Sequence, residues 1–250
     1  MRVVFSLLLA AGLSVLPLSG GRAAETPVFS PAQVEALEKI IRKTIVDHPE
    51  ILVEAAQALQ EKAEGLRSAQ ARAAIAKLRP ELERDPDAPV LGNPSGDVSV
   101  VMFFDYNCAY CKLVYRAVTK VVADDGKVRL VLKELPILGP DSLTASKAAL
   151  AAGAQGKYRE FFSEAMGHRG KFDDGALEGI VKTVGLDHAR LTKDMAADGI
   201  EKALDRNRDL SRALDINGTP AFVIGSDLVA GALNEKTLKE MIAKARRSSP

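Results

Sequence analysis

The chain has 250 residues, with 34 Lys and Arg set against 33 Asp and Glu, and it contains no Trp. That near-even balance offers no case for a nucleic-acid partner or an acidic surface, and the few aromatics give no platform for stacking bases. Once residues 1–24 are set aside, roughly 225 residues are enough for one sizeable domain and an appendage.

Residues 1–24 read as an export leader: Arg2 supplies the positive start, Val3 to Leu18 is apolar, and Gly21-Arg22-Ala23-Ala24 offers cleavage after Ala23 or Ala24. The apolar run is a little short for a membrane anchor, the competing reading. No later segment is apolar enough to span, so the expected mature protein is periplasmic, in a compartment where disulfides persist.

Residues 25–85 form an amino-terminal helical segment with its linker. Ser30 can cap a first helix, with Pro31 in its opening turn and Gln33 reaching back to the Ser30 amide. Val34, Leu37, Ile40, Ile41 and Ile45 follow at helical spacing. Asp47 or His48 is expected to cap a second helix starting at Pro49-Glu50 and running to about Arg79, with Gly65 as its weak point. Pro80, Pro86, Pro89 and Pro94 close the segment.

Residues 86–250 read as one α/β domain. An edge strand is expected within Pro89 to Pro94, and a central buried strand at Val98–Phe104. A helix from Cys108 to about Val122 leads to a strand at Val128–Leu135, which makes a strand–helix–strand unit with a right-handed crossover. A helical insertion at about 141–214 then divides at glycines into helices 141–153, 156–167, 174–184, 187–195 and 198–213. A hairpin, Ala221 to Ile224 and Leu228 to Ala230, precedes a last helix from Glu235 to about Arg246, capped by Asn234. The order is βαβ, insertion, ββα.

Cys108-Ala109-Tyr110-Cys111 holds the chain's two cysteines. A cysteine at a helix start faces unpaired amides and the positive end of the helix dipole, which favour the thiolate. Cys108 is therefore the expected nucleophile, and Cys111, one turn inside, the resolving thiol. The uncharged Ala109-Tyr110 brings no positive charge, so the depression of the Cys108 pKa is expected to stop short of the extreme. A structural disulfide here would close too short a loop to add much stability. A zinc site needs about four ligands, and His48, His168 and His188 are scattered, so no metal centre is expected. Two thiolates alone can hold Cu(I), a soft ion, which leaves possible copper capture at Cys108 and Cys111 as a competing use. A proline after a turn and before an apolar strand is commonly a strand starter on an edge; with the CxxC unit upstream, Thr219-Pro220 is expected instead to form a cis-proline loop facing the dithiol, with the Thr219 backbone free to pair with an extended substrate. Ala109 and Tyr110 complete the expected substrate surface.

Three stretches carry a resemblance to the DsbA-like branch of the thioredoxin superfamily: Phe103 to Lys112, Leu135 to Ser142, and Gly218 to Phe222. It covers roughly Asp87 to Lys244. It implies a thioredoxin fold with a helical insertion, Cys108 as nucleophile, Cys111 as resolving cysteine, Pro220 as the cis proline, and no cofactor beyond the redox-active Cys108–Cys111 pair. The amino-terminal helices look like those of the ScsC proteins, the suppressors of copper sensitivity, some of which assemble through that segment. Many relatives carry an acidic residue six positions before the first cysteine; here that place is Met102. Glu134 and Lys133 remain as proton-transfer candidates for Cys111, against the alternative that both are solvated strand-end charges.

These readings lead to a periplasmic thiol:disulfide interchange protein, an isomerase or general oxidoreductase. Its expected partners are misfolded or reduced exported proteins, a membrane thiol-redox partner, and further copies of the chain joined as a dimer or trimer through residues 30–79. A monomeric dithiol oxidase and a periplasmic Cu(I)-binding protein are the alternatives.

Overall fold

The computed structural model describes residues 28–170 and 172–248. The expected export leader lies outside them. The chain divides into two compact units, residues 1–58 and 59–250.

In the first unit, α1 (Pro31–Asp47) opens with the capping box expected of Ser30 and Gln33. The Gln33 side chain accepts from the Ser30 amide at 2.8 Å, and Ser30 Oγ accepts from the Gln33 amide at 3.4 Å. The His48 carbonyl accepts from the Ile51 amide at 3.2 Å at the start of the next helix. His48 also closes α1, its amide donating to the Thr44 carbonyl at 2.9 Å. Val34, Leu37, Ile40 and Ile41 are exposed along α1.

The second helix, α2 (Glu50–Glu83), departs from expectation. It continues through Pro80 instead of ending near Arg79. A proline inside a helix removes one backbone hydrogen bond and crowds the preceding turn. Here Ile75 and Leu82, on either side of Pro80, are fully buried in one apolar cluster with Val101, Phe103 and Val131. That packing outweighs the local cost and carries the helix onto the sheet. The boundary between the two units falls at Ala58/Leu59, within α2. Ile75 and Leu82 belong to the core of the second unit.

The second unit is built on a five-stranded sheet of β1 (Val90–Gly92), β2 (Val98–Phe104), β3 (Val128–Glu134), β4 (Ala221–Ile224) and β5 (Asp227–Ala230), ordered β1-β3-β2-β4-β5. β2 and β3 are parallel and joined through α3 (Ala109–Asp125); the other pairings are antiparallel. β2 and β3 bury nearly every residue, as central strands covered on both faces do. The insertion comprises α4 (Pro140–Ala154), α5 (Tyr158–Gly167), α6 (Asp174–Val184), α7 (His188–Met195) and α8 (Asp198–Ala213), close to the glycine-divided helices of the sequence reading. α9 (Glu235–Ser248) closes the unit, with the Asn234 side chain accepting from the Thr237 amide at 2.9 Å.

The sheet has two apolar faces. Val100, Met102, Phe104, Leu130 and Leu132 share one cluster with both cysteines and the aromatics of α5. Val101, Phe103, Val131 and Leu135 share the other with α2 and the end of α8. Strand alternation thus sends Glu134 and Lys133, adjacent in sequence, to opposite faces.

Candidate active site

Cys108 is the N-cap residue of α3. Its Sγ accepts from the Cys111 amide at 3.3 Å, the place that a serine or aspartate oxygen takes in an ordinary cap. Hydrogen bonding by Cys111 is the main cause that takes the Cys108 thiol from its ordinary 9.0 down to about 6; burial opposes it, and Thr219 and the backbone amides of the turn assist. The depression is marked but not extreme, in line with the uncharged Ala109-Tyr110 between the cysteines. Cys111 shows the reverse. Its bond to Cys108 and then its burial push its thiol far above the ordinary range. Both thiols are free in this structure. One sulfur is thus poised as a thiolate and its neighbour as a thiol, the arrangement an attacking and a resolving cysteine require.

The Thr219–Pro220 peptide is cis, and it faces the dithiol across 111 residues of sequence. Thr219 acts in two senses. The Cys108 thiol donates to its carbonyl oxygen at 3.1 Å, while its side-chain hydrogen bond favours the thiolate. The carbonyl expected to be free for a substrate chain is therefore engaged by the thiol form, and ionisation of Cys108 removes that donor. Pro220 is buried, and its carbonyl accepts from the Gly231 amide at 2.8 Å. Ala109 and Tyr110 are exposed beside Cys108, Tyr110 at 63%.

Glu134 and Lys133 are both 0% exposed, which overturns their reading as solvated strand-end charges. Glu134 Oε1 accepts from the hydroxyls of Tyr106 at 3.0 Å and Tyr158 at 2.6 Å, and Oε2 accepts from Ser146 at 2.8 Å. Burial pushes the Glu134 carboxyl up to about 8 against the pull of those three donors. It lies on the face that holds the cysteines, and Tyr106, two residues before Cys108, touches it directly. Lys133 projects to the other face, where its Nζ donates to Asp85 at 2.7 Å and to the Glu81 carbonyl at 3.0 Å. That ion pair ties it to the end of α2, away from the cluster that contains Cys111.

The sequence reading passed over Asp105. It is fully buried, three residues before Cys108, and accepts four hydrogen bonds. A single aspartate in a turn is too ordinary to stand out. The signal available was its place between an apolar strand and a CxxC pair, where a buried carboxylate must find donors. Among the described residues no three His, Cys, Asp or Glu side chains gather as a metal cluster.

Residues 99–243 match the DSBA-like thioredoxin domain, and residues 33–64 match the copper resistance protein ScsC N-terminal domain. A thioredoxin-like oxidoreductase from Silicibacter pomeroyi is 44% identical, with a TM-score of 0.67 over 68% of this chain and 98% of its own. The thiol-disulfide exchange protein alpha-DsbA2 from Wolbachia pipientis is 31% identical, with a TM-score of 0.68 over 72% of this chain and 97% of its own. Proteus mirabilis ScsC in a transitional conformation is 31% identical, with a TM-score of 0.65 over 88% of this chain and 99% of its own. The chain spans 25–27% of the length of the first curated relatives it matches, which are Na(+)/H(+) antiporters. The domain match covers more than half of the sequence, and the chain belongs to the DsbA-like thioredoxin domain family.

Proposed function

We propose that this protein is a periplasmic thiol:disulfide interchange protein that reshuffles disulfides in exported proteins, working as an oligomer held together by its amino-terminal helices. The observation that carries the chemistry is the Cys108 sulfur serving as the N-cap of α3, its thiol at about 6 beside a Cys111 that keeps its proton. Cys108 attacks a client disulfide, forming a mixed disulfide and releasing one client thiolate. Attack by a second client thiol completes isomerisation and frees Cys108. Attack by Cys111 instead reduces the client and leaves Cys108–Cys111 oxidised, to be reset by a membrane thiol-redox partner.

The isomerase direction is supported by the match of residues 33–64 to the ScsC amino-terminal domain and by the exposed Val34, Leu37, Ile40 and Ile41 of α1, a stripe suited to packing on its own copies. Export is supported by the leader-like residues 1–24. Among the described residues, no helix is long and apolar enough to cross a membrane. Two measurements on the exported protein test the reading. It should refold scrambled ribonuclease, and light scattering should give a dimer or trimer mass. A monomer that oxidises reduced ribonuclease but leaves scrambled ribonuclease untouched is an oxidase instead.

The ScsC match also favours a second reading, Cu(I) capture by Cys108 and Cys111. A Cu(I) competition titration decides it, since exchange activity without copper affinity leaves the thiols to redox chemistry alone.

A further inference from the structure

A cleft of about 1030 Å³ opens between β1, the second half of α3 and the start of α5. Its floor is apolar and belongs to the core: Leu91, Tyr115, Val122, Leu130 and Phe162 are each no more than 8% exposed. Tyr115 and Phe162 meet edge to face there, with ring centroids 6.3 Å apart. A floor of close-packed core side chains keeps its shape when nothing is bound, so the cleft is preformed. Its volume lies at the upper end of the range for small-molecule sites, about 300 to about 1,000 Å³. Neither cysteine lines it, and Arg116 sits about two turns along α3 from Cys108, so the exchange chemistry makes no use of it.

The rim carries one sign of charge. Arg116, Lys120 and Arg159 line the cleft, and no Asp or Glu does. The chain as a whole is nearly neutral, so this is a local separation of charge. Arg116 and Lys120 lie one turn apart on one face of α3, and Arg159 reaches the cleft from the first turn of α5. Lys120 is partly committed, because Asp124 pairs with it. Arg116 uses only its Nε, which donates to the Tyr115 hydroxyl at 3.1 Å, and its guanidinium carbon lies 5.8 Å from the Tyr115 ring centroid. Among the described residues, Arg159 makes no ion pair. Two guanidinium groups beside an apolar floor match an oxyanion carried on an apolar body, since a guanidinium can meet a carboxylate with two parallel N–H bonds.

We infer that this cleft binds a small amphipathic carboxylate, its apolar body against Tyr115 and Phe162 and its head held by Arg116 and Arg159. The occupant is a free molecule and not a bilayer: a membrane contact needs apolar side chains that project outward, and those of the cleft floor are buried. The site needs neither thiol and stands apart from the exchange function.

The full-length exported protein is titrated calorimetrically with decanoate, and with decanol, which keeps the apolar body and lacks the charge. The wild type should bind decanoate about tenfold more tightly than decanol. An Arg116→Gln, Arg159→Gln double variant should weaken decanoate about tenfold and leave decanol within about twofold. Ala123→Trp, at an exposed position of α3 that lines the cleft, keeps the charges and fills the apolar space, so it should weaken both ligands. Both variants alter exposed side chains only, and their circular dichroism should superpose on that of the wild type. A wild type that binds no decanoate overturns the site. Equal affinity for decanoate and decanol overturns the role of the arginines. Decanoate binding that neither variant changes lies elsewhere, on the exposed stripe of α1 for example, and also overturns the site. Sedimentation with phosphatidylglycerol vesicles that the arginine variant abolishes, in a protein that ignores decanoate, would make the patch a membrane contact instead. Each of these failures leaves the exchange function standing.

Discussion

Lys133 and Glu134 end the same strand, are both fully buried, and solve burial in different ways. On the α2 face, Lys133 keeps its charge by pairing with Asp85 at 2.7 Å. Burial pulls the lysine below its ordinary range. It also pushes Asp85 upward, but Lys133 outweighs that and holds the carboxyl below its usual value. On the dithiol face, Glu134 has three hydroxyls and no cation bonded to it, and its carboxyl rises to about 8, so it is mostly neutral at pH 7. The difference shows one sheet dividing its labour. An ion pair fastens a helix where nothing reacts. A protonatable carboxyl sits where proton movement is useful, one hydrogen bond from the residues that lead to Cys108.

The largest effect should come from breaking the pair. Lys133→Met leaves Asp85 without its partner at 10% side-chain exposure, and unfolding in urea should show a loss of about 3 kcal/mol, the scale for removing one member of a buried pair. Adding Asp85→Leu should restore most of it, because an apolar pair replaces the ion pair without an orphaned charge. A single variant as stable as the wild type would mean that Arg206, 3.7 Å from Asp85, already suffices.

The next effect concerns pH. The folded Glu134 holds its proton up to about pH 8, whereas its ordinary value is 4.5. Its contribution to stability is therefore whole below about pH 4.5 and is lost as pH rises toward 8, a change of a few kcal/mol by linkage. Glu134→Gln cannot ionise, so its stability curve should be flatter over that window. If Glu134 also moves protons for Cys111, its pH–rate profile should lose a limb near 8; identical profiles would confine the carboxyl to a structural role.

The smallest effect is a shift that should not occur. In the Lys133→Met protein the thiolate absorbance of Cys108 should still rise with a midpoint near 6, the same midpoint expected with Lys133 present. Movement of that midpoint would show that the two faces are coupled.

Much of this was legible in the sequence. The insertion helices fall close to the expected ranges, although only α6 ends on its glycine, Gly185 in the left-handed region at φ 70°; α4, α5, α7 and α8 are capped by Gln155, His168, Ala196 and Leu214. The Ser30 box, the central strands, the cysteine pair and the Thr219-Pro220 loop all follow from local chemistry. What failed depended on distant partners. Pro80 looked like a stop because the anchors Ile75 and Leu82 gain their burial from strands elsewhere in the chain. Whether Lys133 and Glu134 were proton-transfer candidates or solvated strand-end charges stayed open because Asp85, Ser146 and Tyr158 lie 48, 12 and 24 residues away. Asp105 drew no notice because three of its four donors sit 32 to 37 residues on.

The cap on α3 has a consequence for the direction of electron flow. While reduced, Cys108 can place a negative sulfur at the helix end where negative charge is favoured. Once joined to Cys111 it is a neutral disulfide sulfur, and the helix loses that anionic cap. The helix therefore stabilises the reduced protein over the oxidised one, and the more the reduced form is favoured, the more readily the disulfide is given away. Shortening or fraying the first turn of α3 would weaken this preference for the reduced form, with neither cysteine touched.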